Sequence, residues 1–310
     1  MVRFIELTLC LIVASIPYNI NRIYKISRKR IISIFLNVNA LFTLIVLSLF
    51  VVDYVFSTAF VSYGSTHRLR AFYVEGGPYG LYLSTLFFLE CLYCKRKVFC
   101  IIFLCALVLS QSKAGISSTA LYLFYIMLLK NRFLRSFIKP KNFIRFVIFI
   151  FISFLLSGYI VYKVSQEYIE ELDNISTSLN QRDDDPSLVM GRIAATYIGP
   201  NIIKDNPLIG IGLGAYSLVR NDSKYRGPFP VVQAWDLTGL GGFLNLLIEN
   251  GIIGLLLFIL CIFLYFKYDV NGITYILLFA LPFLLGAQLY MVYPWFYLGL
   301  YSISRYSIDE

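Results

Sequence analysis

The sequence predicts an all-α, polytopic membrane protein with about nine transmembrane helices and one long external loop that carries amphipathic helices. Apolar residues make up 58% of the 310 residues and charged residues only 15%, against about 45–50% and about 25% in a soluble globular domain. Several apolar runs approach the ~20 residues that cross a hydrocarbon core. Helices are the expected spanning element, because backbone polar groups in lipid must be satisfied within the segment.

The predicted spans follow the apolar runs in chain order. They are 4–20, 31–52, 78–94, 98–112, 116–130, 144–163, 239–266, 272–288 and 289–304. The spans 98–112 and 116–130 are short and fit either a tight hairpin around Ser110–Gly115 or a re-entrant pair. No cleavable signal-peptide pattern precedes the first span. We expect a single multi-pass membrane domain over residues 1–310.

The net charge of +9 is concentrated in short loops on one side of the predicted membrane. The basic clusters lie in Arg22–Arg30, Lys95–Lys97 and Lys130–Arg145. The positive-inside rule places all three in the cytoplasm, which puts the N-terminus outside and the C-terminus inside. This placement indicates topology signals and contacts to anionic lipid rather than a nucleic-acid partner.

All six cysteines lie within or at the edge of apolar segments. Cys91 and Cys94 form a C-x-x-C pair, but a redox or metal role would need a second pair or nearby histidines. We therefore interpret the cysteines as small apolar residues and expect no metal site.

Two external loops are long enough to carry function. One is Asp53–Tyr79, and the other, about 164–238, is far longer than an ordinary connection. Within it, Ser187–Ile203 is predicted to form an amphipathic helix. Asn206–Pro207 and the glycines that follow are expected to end this helix.

The positive-inside rule does not explain arginines in the external loops, so another role is expected for them. Arg192 opens the predicted helix of the long loop, and a guanidinium can bind phosphate oxygens in bidentate fashion at any working pH. The residue is therefore a candidate pyrophosphate ligand, with a salt bridge to Asp183–Asp185 as the alternative.

The other external loop carries Arg68 and Arg70 just before a Gly-Gly-Pro entry to a helix. His67, the chain's single histidine, precedes them and is a candidate general base because its pKa suits neutral pH. The alternative is a surface charge pair beside a histidine without a chemical role.

Three glycines alternate with apolar residues in the long loop: Gly210, Gly212 and Gly214. No Lys-Ser/Thr follows them and no strand of a βαβ unit precedes them, so the run is not a nucleotide-binding loop. Two interpretations stay open. The backbone amides could approach an anion, or the glycines could let the loop pass between helices.

Ionisable residues mark the span 239–266. Glu249 lies inside it and Asp236 just before it, and an ionisable residue in a transmembrane helix is a functional candidate. For Glu249 the alternative is packing against a neighbouring arginine. Glu90, within the span 78–94 and close to its cytoplasmic edge, is expected either to snorkel or to pair with the Lys95–Lys97 cluster.

Together, three stretches resemble the O-antigen polymerase and ligase superfamily. They are Gly191-Arg192, the run DNPLIGIGLG from Asp205 to Gly214, and the run GFLNLLIENGIIG from Gly242 to Gly254. Arg70 with Ala71 and the following Gly-Pro, and the Ser110–Gly115 turn, fit the same pattern less tightly. The motif-bearing part covers roughly residues 60–260, and the chain is short for the superfamily.

The resemblance implies a glycosyltransferase of the bacterial inner membrane that faces the periplasm, so the 164–238 loop would be periplasmic. The donor would be a glycan on undecaprenyl pyrophosphate, with no nucleotide sugar, metal or other cofactor. The implied partners are the undecaprenyl-pyrophosphate-linked oligosaccharide, inner-membrane lipid and a separate chain-length regulator protein.

The resemblance also suggests roles for individual residues. Arg70 and Arg192 match arginines that hold the donor pyrophosphate, and a third would be Arg220 or Arg226. Pyrophosphate is a good leaving group, so catalysis needs mainly positive charge and alignment. One of Glu249, Asp236 and His67 would orient or deprotonate the acceptor hydroxyl.

One departure separates the branches of the superfamily. Ligases carry a His-Asn pair at the start of the span that ends in Glu-x-Gly-x-x-Gly, whereas this chain has Leu240 and Gly241 there. The missing histidine favours a polymerase over a ligase that attaches glycan to lipid A core. A flippase for lipid-linked sugars is the other alternative, although the paired repeats common in transporters are not found. A scaffold role leaves the arginine and glycine pattern unexplained.

Overall fold

The computed structural model describes residues 2–63, 68–73, 76–130, 192–227, 229, 231, 240–267 and 269–306. The chain forms two compact units. The first unit comprises Met1–Glu6 and Ser136–Asp269, and the second comprises Leu7–Arg135 and Val270–Glu310. The expected single membrane domain stays a prediction, as does the 164–238 loop, since residues 131–191 and 232–239 lie outside the described part.

Helices account for nearly all of the described secondary structure. They are α1 (Val2–Tyr24), α2 (Arg28–Phe56), α3 (Gly76–Leu89) with a π-helical continuation (Glu90–Cys94), α4 (Lys97–Leu109), α5 (Lys113–Lys130), α6 (Arg192–Asp205), α7 (Tyr216–Val219), α8 (Ser223–Arg226), α9 (Gly242–Tyr265), α10 (Val270–Leu284) and α11 (Val292–Tyr306). A two-residue antiparallel pairing, β1 (Ser62–Tyr63) with β2 (Arg68–Leu69), is the one sheet among the described residues. The all-helical prediction is confirmed apart from this short hairpin.

Three helices are long and apolar enough to cross a membrane: α1, α2 and α9. The helices α4, α5 and α10 are apolar but shorter. Each predicted span in the described part coincides with a helix, whereas the span 144–163 lies outside it. The protein is therefore a helical membrane protein, and the count of nine spans stays a prediction.

The end of α2 corrects one predicted boundary. The external loop was expected to begin at Asp53, but α2 continues to Phe56 and ends at Ser57 in the left-handed conformation, with φ 54°. Asp53 is a fully buried residue of the last helical turn. Its carboxylate accepts hydrogen bonds from Thr58 Oγ1 at 2.6 Å and from the backbone N–H groups of Phe60, Val61 and Ser62 at 2.8–2.9 Å.

Small residues allow a close contact between α3 and α5 in the second unit. A Cβ on Gly115, in α5, would lie 2.6 Å from the backbone carbonyl of Gly80, in α3. Ser112 joins the two helices, because its Oγ donates to the carbonyl of Gly77 at 3.0 Å and accepts from the N–H of Gly115 at 3.0 Å. Close backbone approach at glycine and serine is typical of membrane helix pairs, and it explains the small residues of the Ser110–Gly115 turn.

Glu90 is paired as expected. Its carboxylate is fully buried and receives Arg96 through Nε at 2.9 Å, Nη2 at 2.7 Å and the backbone N–H at 2.8 Å. The guanidinium also lies 4.1 Å from the centroid of the Phe99 ring. A bidentate pair of this kind compensates the desolvation of a buried carboxylate, and it joins the end of α3 to the start of α4.

We expect Gly115→Ala to destabilise the protein by about 2 kcal/mol, because the added methyl group must separate two backbones that cannot yield locally. The thermal midpoint of the detergent-purified protein measures this loss. Gly77→Ala is the matched control, since its Cβ meets only the far end of Arg68 at 4.0 Å. Equal midpoints for the two variants would contradict the close contact between α3 and α5.

Candidate functional site

The helix α9 is broken inside its apolar sequence. Gly251 has φ 64° and ψ −170°, which is not helical. A break of this kind frees carbonyl groups before it and N–H groups after it, and water cannot satisfy them in an apolar medium. The freed groups therefore need partners from elsewhere in the chain.

The glycine-rich loop that follows α6 supplies these partners. The N–H groups of Ile211 and Gly212 donate to the carbonyls of Ile248 and Glu249, at 3.2 and 2.8 Å. In return, the N–H groups of Ile252 and Ile253 donate to the carbonyls of Pro207 and Leu208, at 2.9 and 3.2 Å. Loop and helix thus satisfy each other through four backbone hydrogen bonds. We call this arrangement, residues 207–212 with 248–253, the backbone interlock.

Two glycines make the interlock possible. A Cβ on Gly210, which has φ 72°, would lie 2.5 Å from the carbonyl carbon of Glu249, and a Cβ on Gly251 would collide with the carbonyl oxygen of Leu208. Both residues need a positive φ and both lie against backbone. The N–H of Gly210 donates to Asn206 O at 3.2 Å, so the amides of Gly210 and Gly212 are engaged with carbonyls of the protein. This geometry favours the interpretation in which the loop packs against a helix.

The carboxylate of Glu249 faces the end of the same loop. Glu249 is only 3% exposed, and its Oε1 accepts from the N–H of Tyr216 at 3.4 Å. The N–H of Gly214 and the charge of Arg3 also act on this carboxylate. Arg3 is itself buried, pairs with Glu6 at 2.8 Å and lies against Gly214. Glu249 therefore anchors the loop and the start of α1 within the first unit.

The segment after the loop carries two of the predicted arginines. Arg220 follows α7, donates its backbone N–H to Tyr216 O at 2.9 Å and is buried. Burial lowers the pKa of its guanidinium, but an arginine stays charged at any working pH. Arg226 ends α8, and its Nε is buried without a hydrogen-bond partner among the described residues. The segment therefore carries two guanidinium groups whose Nε atoms are buried, and such groups are suited to bind an anionic ligand.

Apolar packing fixes this segment to α6 and α9. A cluster of buried side chains joins the three: Ala195, Ile198, Ile202, Tyr216, Tyr225, Phe229, Leu240 and Ile248. A surface ion pair between Lys224 Nζ and Asp205 Oδ2, at 2.5 Å, adds a link between α8 and the end of α6. The loop, the arginine-bearing segment and the first turns of α9 are thus one packed structure within the first unit.

Arg70 belongs to the second unit and is held by backbone carbonyls. Its Nε donates to Ser62 O at 3.1 Å and its Nη2 to Ala59 O at 3.4 Å. These carbonyls lie in the loop that the Asp53 carboxylate organises, so Asp53 positions Arg70 through that loop. Sequence reasoning missed Asp53, although a carboxylate close to the end of an apolar helix is a signal for such a role.

A crevice of about 490 Å³ lies beside the residues that follow Arg70. Its lining is apolar and aromatic: Val38, Asn39, Phe42, Ala71, Phe72, Tyr73, Tyr79, Tyr82, Val292 and Tyr293. Phe42 and Phe72 are exposed at its edge. The crevice can therefore accept a hydrocarbon chain from an apolar surrounding.

Comparison with known proteins identifies the family. A family model described as O-antigen ligase matches residues 98–259, just over half of the chain. The chain belongs to the O-antigen ligase family. This family covers both polymerases and ligases of O-antigen, so the resemblance inferred from the motifs is confirmed. No curated protein and no solved structure matches the chain.

The match to the O-antigen ligase family spans α4 to most of α9 and includes the whole backbone interlock. The site residues Arg192, Arg220, Arg226 and Glu249 fall within it, whereas Arg70 precedes it. Among the described residues no three His, Cys, Asp or Glu side chains are grouped to hold a metal ion.

The structure brings together only some of the predicted site residues. Glu249 contacts the loop of Gly210, Gly212 and Gly214. The arginine-bearing segment, residues 216–226, follows this loop in the chain. Arg192 lies in α6, within the predicted helix Ser187–Ile203. The helix ends at Asp205 rather than Ile203, and its predicted start at Ser187 lies outside the described residues. His67, Asp236 and the Asp183–Asp185 alternative lie outside the described residues, so their roles stay predictions. Arg3 was missed, although a basic residue three positions before Glu6 in an apolar helix indicates an ion pair.

We expect Gly210→Ala and Gly251→Ala to abolish the folded protein or to lower its stability by more than about 3 kcal/mol. Each adds a collision with backbone to the strain of a positive φ, which alone costs about 1–2 kcal/mol. Gly212→Ala is the matched control, because Gly212 has φ 100° but nothing within 4 Å of a Cβ. Membrane yield and thermal midpoint measure both effects. If Gly212→Ala lowered the membrane yield and the thermal midpoint as much as Gly210→Ala, the result would contradict the interlock.

Proposed function

We propose that this member of the O-antigen ligase family is an O-antigen polymerase of the bacterial inner membrane. It would transfer the growing glycan from undecaprenyl pyrophosphate to another lipid-linked repeat unit on the periplasmic face. The observation that carries the polymerase assignment is Leu240, which stands where ligases have a histidine. Leu240 is 2% exposed and belongs to the apolar cluster of the first unit, so this position offers no base.

In the proposed reaction the bond between the donor sugar's anomeric carbon and the phosphate oxygen breaks. The acceptor hydroxyl oxygen forms the new glycosidic bond, its proton passes to a base, and undecaprenyl pyrophosphate leaves with the electron pair. The protein must stabilise the charge on the leaving diphosphate. Arg70, Arg192, Arg220 and Arg226 are the candidates, supported by the burial of Arg220 and by the buried, unpartnered Nε of Arg226.

The crevice beside Arg70 supports a lipid-linked donor. A polyprenyl chain is apolar and enters from the bilayer, and the crevice is lined by aromatic side chains and opens at exposed Phe42 and Phe72. Arg70 directly precedes the lining residues Ala71, Phe72 and Tyr73 in the sequence, and this order supports its choice as a candidate for the diphosphate of such a ligand.

Acceptor activation falls to Glu249, Asp236 or His67 in this proposal. Glu249 faces two backbone N–H groups and the charge of Arg3. These partners fix the position of the carboxylate, so its surroundings favour an orienting role. The deprotonating role then falls to Asp236 or His67.

A ligase is the second candidate, because the matching family model is described as O-antigen ligase. Lipopolysaccharide from a strain deleted for this gene separates the two. We expect core carrying one repeat unit and no longer chains, as the loss of a polymerase requires. Core without any repeat would indicate a ligase or a flippase, and an unchanged ladder would remove the proposed function.

Complementation of the deletion strain tests the arginines. We expect Arg192→Ala to restore no ladder while the protein remains in the membrane, because the leaving diphosphate loses a cationic partner worth at least about 100-fold in rate. Lys204→Ala is the control, since Lys204 is an exposed cation on the same helix. A ladder of normal length from the Arg192→Ala strain would contradict the assignment of Arg192 as a pyrophosphate ligand.

Glu249 variants separate orientation from proton transfer. Glu249→Gln keeps an oxygen that can accept the Tyr216 N–H, so we expect it to retain stability and to restore a ladder. Glu249→Ala leaves buried donors unsatisfied at a cost of about 2–4 kcal/mol and should lose both. Thermal midpoint and the lipopolysaccharide gel give the two readouts. A stable Glu249→Gln protein that makes no polymer would instead assign the base to Glu249.

A further inference from the structure

The first turns of α9 present a buried face that carries both apolar and polar side chains. Gly242, Asn245, Ile248 and Glu249 are the buried residues before the break at Gly251. Ile248, together with the partly buried Leu244, packs in the apolar cluster that holds α6 and the arginine-bearing segment. Asn245 thus lies one turn before Glu249 on the face that is turned towards the proposed site.

Asn245 differs from Glu249 in its hydrogen bonding. Its side chain is 5% exposed, and its Oδ1 is buried without a hydrogen-bond partner among the described residues. Leaving a buried carbonyl oxygen without a partner costs free energy. A leucine at this buried position would avoid that cost, so folding alone does not explain the amide.

Another helical asparagine shows how this chain satisfies a side-chain amide. Asn39, in α2, donates from Nδ2 to Phe35 O at 2.8 Å, and its Oδ1 accepts from the hydroxyl of Tyr82 at 2.5 Å. Both ends of that amide are used within the protein. Among the residues that the structure describes, the Oδ1 of Asn245 has no such partner, although it lies on a buried face where an apolar residue could stand.

Arg226 supplies a second unsatisfied group in the same packed structure. Its Nε is a buried donor without a hydrogen-bond partner among the described residues, and Tyr225, beside it, belongs to the same cluster as Ile248. Within the described part of the first unit, the Oδ1 of Asn245 is thus a neutral acceptor without a donor and the Nε of Arg226 a cationic donor without an acceptor. A ligand that carries both hydroxyl groups and phosphate matches these two needs.

We propose that Asn245 binds a glycan hydroxyl group in the transfer site, through a hydrogen bond from the sugar O–H to Oδ1. This inference rests on the proposed function and adds a residue that contacts sugar rather than pyrophosphate. A buried amide that only a substrate hydroxyl satisfies also discriminates strongly against sugars that lack the hydroxyl. Asn245 is accordingly a specificity residue for the repeat unit.

The test uses the full-length protein purified in detergent and lipid-linked repeat units extracted from the strain deleted for this gene. Asn245→Leu should keep or raise the thermal midpoint, because it removes an unsatisfied buried oxygen, yet lower the rate of glycan transfer about tenfold or more. Asn245→Asp keeps the shape and the acceptor oxygens and should retain more activity than Asn245→Leu. Asn201→Leu is the control, since Asn201 is a partly buried residue of α6.

The outcomes separate this inference from the proposed function. Full activity in Asn245→Leu overturns the glycan contact and points to water as the partner of Oδ1. A fall in both midpoint and activity also overturns it, because the amide then has a structural role. If the wild type makes no polymer but transfers the glycan to lipid A core, the polymerase assignment fails and the same variants decide the contact in that assay. Varying donor and acceptor separately shows whose hydroxyl Asn245 binds, because only that substrate's KM rises.

Discussion

Backbone hydrogen bonds between a glycine-rich loop and a broken membrane helix organise the first unit. In an apolar medium each unpaired N–H or carbonyl group costs several kcal/mol, so α9 can be interrupted at Gly251 only where another segment supplies partners. The carbonyls of Pro207 and Leu208 and the N–H groups of Ile211 and Gly212 meet that need. The loop has no regular structure of its own, and the helix in turn defines its conformation.

This constraint explains why the polar residues of the first unit occur where they do. Glu249 belongs to the interlock, and its carboxylate accepts a hydrogen bond from the N–H of Tyr216, the first residue of α7. Arg220 and Arg226 follow within the next ten residues and are held by the apolar cluster around Ile248 and Tyr225. The segment that carries Arg220 and Arg226 is thereby packed against the membrane helix α9. Electrostatic catalysis benefits from such rigidity, because the charges need no reorganisation during the reaction.

In the second unit, buried carboxylates rather than backbone hydrogen bonds hold an arginine-bearing loop in place. A fully buried carboxylate, Asp53, collects four donors from the chain that follows α2, and the carbonyls of that ordered loop hold Arg70. Glu90 and Arg96 form the equivalent fixed point at the end of α3. In both places, several hydrogen-bond donors compensate the burial of the carboxylate, and the paired group fixes the path of the chain.

Hydrophobic runs were sufficient to predict that the chain is helical and embedded in a membrane, because the bilayer demands long apolar segments with internally satisfied backbone. The spacing of Asn206–Pro207, the alternating glycines and Glu249-x-Gly251 likewise identified the family and the end of α6. The partnership between these motifs could not be read from the sequence, since it depends on backbone atoms that all residues share. Burial of Arg3 with Glu249, the carboxylate of Asp53 behind Arg70 and the unsatisfied amide of Asn245 were also decided by tertiary structure. The contacts of these residues are with neighbours that lie far away along the chain, and local periodicity does not predict such contacts.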